Sequence, residues 1–394
     1  MTATHDAIVV GAGPAGSTAA YLLAQRGASV ALLDKALFPR DKLCAGLLTW
    51  KTMDVLERVY GETPEALLAA GTLDDARSGY RIRFGHRIIA QGDMFYPFHF
   101  AERRVFDKHL LDRATRAGAD VRLGCPVAAV SPETGAVRLA DGRELRGRFV
   151  IGCDGVSSVT RRSCPFDSAS WRANMGGAME FYLDRNDPLL SGPVHEDLTA
   201  GLPVVYAGIL RAGYGWVFPH RQKLAIGIGG HSLLHGKEFR RKFREFVCFL
   251  GLPPHLADTC KGHGLPYGNY LTRPWHGRAL LAGDAAGLVE TLFGEGLYYA
   301  LRSGELAASA VAEALARGTD PAPTYGRGLK RDILPELIWS RRLRRILYAS
   351  QSLGFVPLLC FVRSGGRLLG EMVHGLRSYR LLQRRARGPM QGGR

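Results

Sequence analysis

Short apolar runs that stop abruptly at glycine or an acidic residue recur along this chain. Ala7-Ile8-Val9-Val10 stops at Gly11, Ser29 to Leu33 stops at Asp34, Val150-Ile151 stops at Gly152-Cys153-Asp154-Gly155, and Ala279-Leu280-Leu281-Ala282 stops at Gly283. Runs of this length bounded by turn residues read as strands. Behind the first of them, Ala15 to Arg26 reads as a helix, and a helix opening at Glu102 carries Leu110 and Leu111. The middle of the chain has a different texture. Tyr80-Arg81-Ile82-Arg83-Phe84 and Arg87-Ile88-Ile89-Ala90 alternate apolar and polar positions, and strand-like runs occupy Val204 to Leu210 and Leu224 to Gly229. The pattern predicts one unit of strands and helices assembled from separate stretches, with a sheet inserted between them.

The turns then say what the first unit holds. In Gly11-Ala12-Gly13-Pro14-Ala15-Gly16 the first glycine permits the tight turn and Gly13 lets the backbone approach a pyrophosphate. Gly16 lets the helix pack closely on the strand, while Pro14 and Ala15 open that helix, whose positive end faces the phosphates. Asp34, followed by Lys35, falls about 20 residues on, placed to bond a ribose hydroxyl and to repel a 2′-phosphate. One such motif does not separate FAD from NAD or NADP, but three further stretches do. Arg103, in Glu102-Arg103-Arg104, opens a helix from which it can reach a pyrophosphate. Asp154-Gly155 forms an acidic turn ahead of Ser157-Ser158-Val159-Thr160-Arg161. Gly283-Asp284-Ala285-Ala286-Gly287 delivers Asp284 toward a ribityl chain, and Gly294-Glu295-Gly296-Leu297 begins a helix whose amides can face a flavin pyrimidine oxygen. Together they point to FAD.

In these elements the chain resembles the FAD-dependent oxidoreductases of the para-hydroxybenzoate hydroxylase structural group. Within that group it is similar to the geranylgeranyl reductase family on two shorter signatures. Lys42-Leu43-Cys44-Ala45-Gly46 is similar to the family's turn near the flavin, and Tyr214-Gly215-Trp216-Val217-Phe218-Pro219 to its substrate-pocket motif. The resemblance covers roughly the first 320 residues. It implies a Rossmann-like FAD-binding domain of α/β type, α+β overall, with an inserted mixed or antiparallel substrate sheet and a C-terminal helical tail. It implies hydride transfer from reduced FAD to carbon–carbon double bonds of a geranylgeranyl-type lipid, with NADPH or a ferredoxin as electron donor. Cys44, Tyr214 and Trp216 become the catalytic candidates. Cys44 or a water it holds can supply a proton, or the thiol can simply shape the pocket; Tyr214, Trp216 and Phe218 can line an apolar tunnel or pack a core. Two residues depart from the family pattern: Ala45 stands where glycine is usual, and His220 follows Pro219 where lysine is common. An aromatic monooxygenase, a halogenase and a non-catalytic flavoprotein are the alternatives. The halogenase reading is weakened because no lysine occurs between Lys51 and Lys108.

The motif positions make the FAD-binding domain discontinuous, over 1–79, 101–168 and 276–320, with the substrate domain at 80–100 and 169–275 and a basic helical region at 321–394. Seven cysteines without a C-x-x-C pair or His/Cys cluster argue against a disulfide framework and against a metal site. No basic-then-apolar leader precedes Ala7, so a cytoplasmic protein is expected; a monomer is expected as well. Charge sharpens this. From Pro321 onward there are 15 Lys and Arg against 3 Asp and Glu, a net of +12 within the chain's +16. Arg341-Arg342-Leu343-Arg344-Arg345 precedes an uncharged run, Ile346 to Val362, which is short of the roughly 20 apolar residues a spanning helix needs. Such a segment suits the anionic inner face of a membrane, or else a helical cap on the substrate domain. No nucleic-acid-binding module accompanies the charge.

Overall fold

The computed structural model describes residues 4–231, 238–352 and 368–380. Two mixed sheets of eight strands each organise the chain. At the centre of the first lies β1 (Thr4–Val10), parallel to β2 (Val30–Leu33) on one side and, beyond β3 (Leu47–Leu48), β4 (Asp75–Phe84), β5 (Arg87–Phe100), β6 (Asp120–Arg122), β7 (Val127–Ser131) and β8 (Ala136–Leu139) in chain order, to β9 (Glu144–Gly152) on the other. β6 extends this sheet past β2, the β7–β8 hairpin joins at β9, and β16 (Ala279–Leu281) closes the far side with the short β15 (Trp275–His276). The β1 residues Ala7, Ile8, Val9 and Val10 are all buried, because helices cover one face and the hairpin the other. That is why these runs are continuously apolar.

The helical face is built by α1 (Pro14–Gln25), with α2 (Trp50–Tyr60), the short α3 (Pro64–Ala69) and α4 (Arg103–Arg116) beside it. After α5 (Val159–Arg162), α6 (Ser168–Ala173) and α7 (Glu238–Phe249) come α8 (Leu297–Arg317), α9 (Ala322–Asp332) and α10 (Leu334–Ser352). α8 lies directly on α1, and a Cβ on Gly304 would fall 2.2 Å from the Ala15 carbonyl oxygen. α9 and the start of α10 are built into this same core through Tyr325, Leu329 and Leu337, and the Tyr325 hydroxyl donates to the Leu281 carbonyl at 2.7 Å. The region from 321 therefore begins as part of the cofactor unit, because its apolar positions face α8 and the first sheet. The run Ile346 to Val362 lies largely outside the described residues, as does everything after Arg380. Among the described residues no helix is long and apolar enough to cross a membrane.

The second sheet runs β14 (Lys261–Pro266), β10 (Met175–Asp184), β13 (Lys223–His231), β12 (Gly213–Pro219), β11 (Val204–Ala207), β4, β5 and β3. Only the β11–β4 pairing in it is parallel among the described strands. α7 covers one face, setting Phe243, Phe246 and Val247 against Tyr206, Val217, Ile226 and Ile228. The other face looks toward the loop at Cys44–Gly46. Two boundaries drawn from sequence move: residue 80 falls inside β4, and residue 275 opens β15, which belongs to the first sheet. Leu47–Leu48 also joins the second sheet, through β5. Backbone pairing decides membership, and it crosses the change in side-chain texture on which the boundaries rested.

Candidate functional site

The two glycine motifs meet at paired helix N-termini. Gly11 has φ +99°, and a Cβ there would lie 2.4 Å from the Cys153 carbonyl oxygen; a Cβ on Gly16 would lie 1.8 Å from the Gly11 carbonyl oxygen. Both are held by backbone crowding. Gly13 is different: it is extended, and its nearest neighbour in the Cβ direction is an Arg40 side-chain nitrogen at 3.6 Å. It precedes Pro14 at the start of α1 with no side chain capping the helix, so the amides of Ala15 and Gly16 stay open to a ligand. Gly283, at φ +58°, abuts Ala15, and a Cβ on it would lie 3.3 Å from the Ala15 methyl. α8 likewise starts without a side-chain cap, at Gly296, with Asp284 close by. Asp34 accepts from the Ala12 amide at 2.7 Å and the Ala36 amide at 2.8 Å, which leaves each oxygen a further lone pair. Two uncapped helix starts with an acid beside each fit a dinucleotide with pyrophosphate at α1 and flavin at α8. Lys35 is exposed next to Asp34.

Between these termini lies a charged cluster. Arg103 binds Asp107 through both a 2.7 and a 2.8 Å hydrogen bond, and Arg40 joins the same fully buried carboxylate at 3.0 Å. Burial works to lower the Arg103 pKa, but Asp107 and Cys44 outweigh it and the guanidinium stays charged. Lys42 contacts His263 of β14 across the gap between the two sheets. Burial lowers the Lys42 pKa, opposed by Asp284 and Cys44 and reinforced by Arg103 and Arg40. Burial, then Lys42, brings His263 down to about 4. Arg40 lies in the segment Pro39 to Gly46 that carries the turn signature but had no role assigned from sequence, and His263 carried no motif; their placement beside Gly13 and Lys42 marks them.

The loop Cys44–Gly46 hangs from the second sheet by three successive carbonyls. The Tyr182 hydroxyl donates to Cys44 at 3.1 Å, the His220 Nε2–H to Ala45 at 3.1 Å, and the Ala101 amide to Gly46 at 2.9 Å. His220 is buried, with Nδ1 2.8 Å from Asp74. The departure from lysine therefore places a rigid ring under the loop, and Ala45 takes part through its backbone. Gly46 has φ +71°, the left-handed region that favours glycine.

Two of the acids expected at the cofactor are engaged elsewhere. The Asp154 carboxylate accepts from the Val159 amide at 2.7 Å, the Thr160 amide at 3.0 Å and the Ser158 hydroxyl, so it caps α5; Gly155 follows at φ +74°. The Glu295 side chain takes a 2.6 Å hydrogen bond from Thr49 and an ion pair from Lys51. It fastens the start of α2 to the loop before α8, whose first turn at Gly296 and Leu297 has no side-chain cap. Tyr214 donates its hydroxyl to the Phe293 carbonyl, locking β12 to that loop.

Trp216 lies across Gly227 of the neighbouring strand to reach Glu180 of β10, donating from Nε1 to Oε2 at 2.9 Å. Glu180 is 1% exposed, and Oε1 is buried without a hydrogen-bond partner. Burial pushes its pKa up to about 7, tempered by the neighbouring Tyr182 hydroxyl, Trp216, His220 and Lys223. A Cβ on Gly227 would fall 2.3 Å from the indole. Gly227→Ala is expected to displace Trp216 and cost roughly 1–3 kcal/mol, measured as a lower melting temperature and a changed tryptophan near-UV circular dichroism. An unaltered spectrum and melting curve would show that the indole has room to spare.

Comparison with known proteins bears on the cofactor and the family. A sequence profile described as an FAD binding domain matches residues 4–188. The menaquinone reductase of Mycobacterium tuberculosis is 31% identical over 82% of this chain and 81% of its own length. The geranylgeranyl diphosphate reductase of Rhodobacter capsulatus is 31% identical over 80% of this chain and 76% of its own. In fold, a geranylgeranyl bacteriochlorophyll reductase-like protein from Thermoplasma acidophilum superimposes with a TM-score of 0.72 at 22% identity, covering 94% of this chain and 91% of that one. The halogenase PltM does so at 0.71 and 18%, covering 94% and 82%. The shared fold thus serves more than one flavin chemistry.

Proposed function

Because the chain belongs to the geranylgeranyl reductase family of FAD-dependent oxidoreductases, we propose that it reduces carbon–carbon double bonds in an isoprenoid chain. The observation that carries this reading is the roof above the Cys44–Gly46 loop. Phe98, Phe100, Trp216 and Phe218 make that face apolar, and Glu180 is the buried acid within it. The relative named geranylgeranyl diphosphate reductase supports the substrate class, and the one named menaquinone reductase leaves the head group open.

Bound FAD, when reduced, supplies a hydride to one alkene carbon. An isolated alkene is poorly polarised, so positioning and a ready proton must provide the rate. Tyr214, Trp216 and Phe218 alternate along β12 and share one face, which holds the chain and excludes water. Glu180 keeps a proton near neutral pH because burial disfavours its charge. Giving that proton to the second alkene carbon completes the addition, and the resulting carboxylate retains its bond from Trp216. Reprotonation runs from solvent past Tyr182, which is partly exposed. The Cys44 thiol is the second candidate donor. NADPH or a ferredoxin would be the electron donor, and the basic C-terminal region would bring the monomer to an anionic membrane on the cytoplasmic side.

The test is anaerobic. Reduced holoprotein mixed with geranylgeranyl diphosphate should be reoxidised without oxygen, and the product should gain two hydrogens per bond by mass spectrometry. Reoxidation that demands oxygen and hydroxylates a phenol would instead establish the aromatic monooxygenase.

A further inference from the structure

The basic run Arg341-Arg342-Leu343-Arg344-Arg345 divides by helical periodicity. On α10, Arg342 and Arg345 are exposed, whereas Arg344 is 7% exposed and Arg341 half-buried. The two inward guanidinium groups flank the turn Tyr267-Gly268-Asn269-Tyr270, which connects the second sheet to the first. Arg344 lies 4.2 Å from the Tyr267 ring centre and donates from Nη1 to the Tyr267 carbonyl at 3.1 Å. Arg341 sits 5.8 Å from the Tyr270 ring centre, with Nε buried and without a hydrogen-bond partner. Gly268, at φ +99°, lets both approach: a Cβ there would lie 3.3 Å from Arg344 Nη2 and 3.5 Å from Arg341 Cδ.

What is unusual is the absence of a counter-charge. Every Asp and Glu side chain of the sequence lies among the described residues, and among those residues none forms an ion pair with Arg341 or Arg344. The buried acid on this side, Glu290, accepts the Leu292 and Phe293 amides at 2.7 Å each. Two guanidinium charges withdrawn from water without an anion are costly, and a guanidinium fork matches phosphate oxygens in shape. Tyr267 links this pair to the roof, since it packs on β10, where a Cβ on Gly176 would lie 2.9 Å from the Tyr267 Cβ.

We propose that Arg341 and Arg344 form an anion site for a phosphate group at the polar end of the prenyl substrate, a diphosphate or a glycerophosphate. This rests on the prenyl-reductase reading, and it adds that the substrate enters with its charged end at α10 and its chain toward Trp216.

The first measurement does not depend on turnover. Inorganic pyrophosphate should bind the FAD-saturated protein by calorimetry at fixed ionic strength, and Arg344→Gln should weaken it at least about 10-fold, the effect of one lost charge-assisted bond. Arg344→Lys, which keeps the charge, should recover part of the binding and controls for folding, as does the melting temperature of each variant. In the second arm, Arg341→Gln and Arg344→Gln should raise KM for whichever of geranylgeranyl diphosphate and geranylgeranylglyceryl phosphate the wild type prefers, leaving kcat and the use of uncharged geranylgeraniol unchanged. That preference identifies the source of the phosphate. No pyrophosphate binding, or binding indifferent to both substitutions, overturns the site. Pyrophosphate binding without any prenyl reduction would overturn the reductase reading and leave the anion site standing.

Discussion

Gly13→Asp is expected to yield a folded protein that does not retain FAD. The position starts α1, is extended, and has no neighbour closer than 3.6 Å in the Cβ direction, so the backbone accepts a side chain. An aspartate there is a good helix cap: its carboxylate can accept from the Ala15 or Gly16 amide and sits at the positive end of the helix. The apo-protein should therefore melt at the same temperature or slightly higher, by a few tenths of a kcal/mol. The same carboxylate takes the amides that a pyrophosphate needs and adds like-charge repulsion. Together these should weaken FAD by about 100-fold or more, roughly 3 kcal/mol. Flavin absorbance after gel filtration, beside apo-protein melting, separates the two effects. Full flavin occupancy in Gly13→Asp would place the pyrophosphate elsewhere than at α1. A change at Gly16 would not discriminate, because a Cβ 1.8 Å from the Gly11 carbonyl oxygen disturbs folding and binding together.

Glu180→Gln should lower alkene reduction by roughly 100-fold or more, the usual worth of a positioned acid, while FAD content stays unchanged. The amide can still accept from Trp216, so the pocket keeps its shape. In the wild type, kcat should fall as pH rises through about 7, where the buried carboxyl loses its proton, and this limb should vanish in Glu180→Gln. Stability should follow the same group. Its pKa is raised in the folded protein from an ordinary 4.5 to about 7, so its contribution is fully present below about 4.5 and is lost as pH rises to about 7, then stays constant. The loss is on the order of 3 kcal/mol, read as a steeper fall in melting temperature between pH 5 and 7 than in Glu180→Gln. Cys44→Ser is the decisive comparison. If the pH limb disappears there and survives in Glu180→Gln, the thiol is the acid and Glu180 only positions Trp216.

The cofactor half of the molecule was legible in the sequence because its signals are local. A strand that stops at Gly11, a helix that starts at Pro14 and an acid at Asp34 lie within one crossover, and Gly11 and Gly16 there answer steric demands made by close backbone. The strand at Ala279–Leu281 and the helix start at Leu297 were legible for the same reason, although their convergence on Ala15 needed the folded chain. Texture failed where backbone pairing ignored it, at Asp75–Gly79 and Leu47–Leu48. The side-chain partners of two acids were likewise beyond local sequence. Asp154 and Glu295 follow or precede turns as cofactor acids do, but free amides and a lysine at hand claimed them first.

The sequence by itself determined that this chain builds a dinucleotide cradle and carries an aromatic strand at Tyr214–Phe218, since both depend on residues near one another along the backbone. Only the tertiary structure decided that Trp216 reaches Glu180, 36 positions away, that His220 supports Ala45, and that two of four clustered arginines turn inward. Burial is a property of what surrounds a group. A glutamate between Met179 and Phe181, or an arginine in a basic run, acquires its distinctive chemistry when distant strands and helices remove water and counter-charges from it.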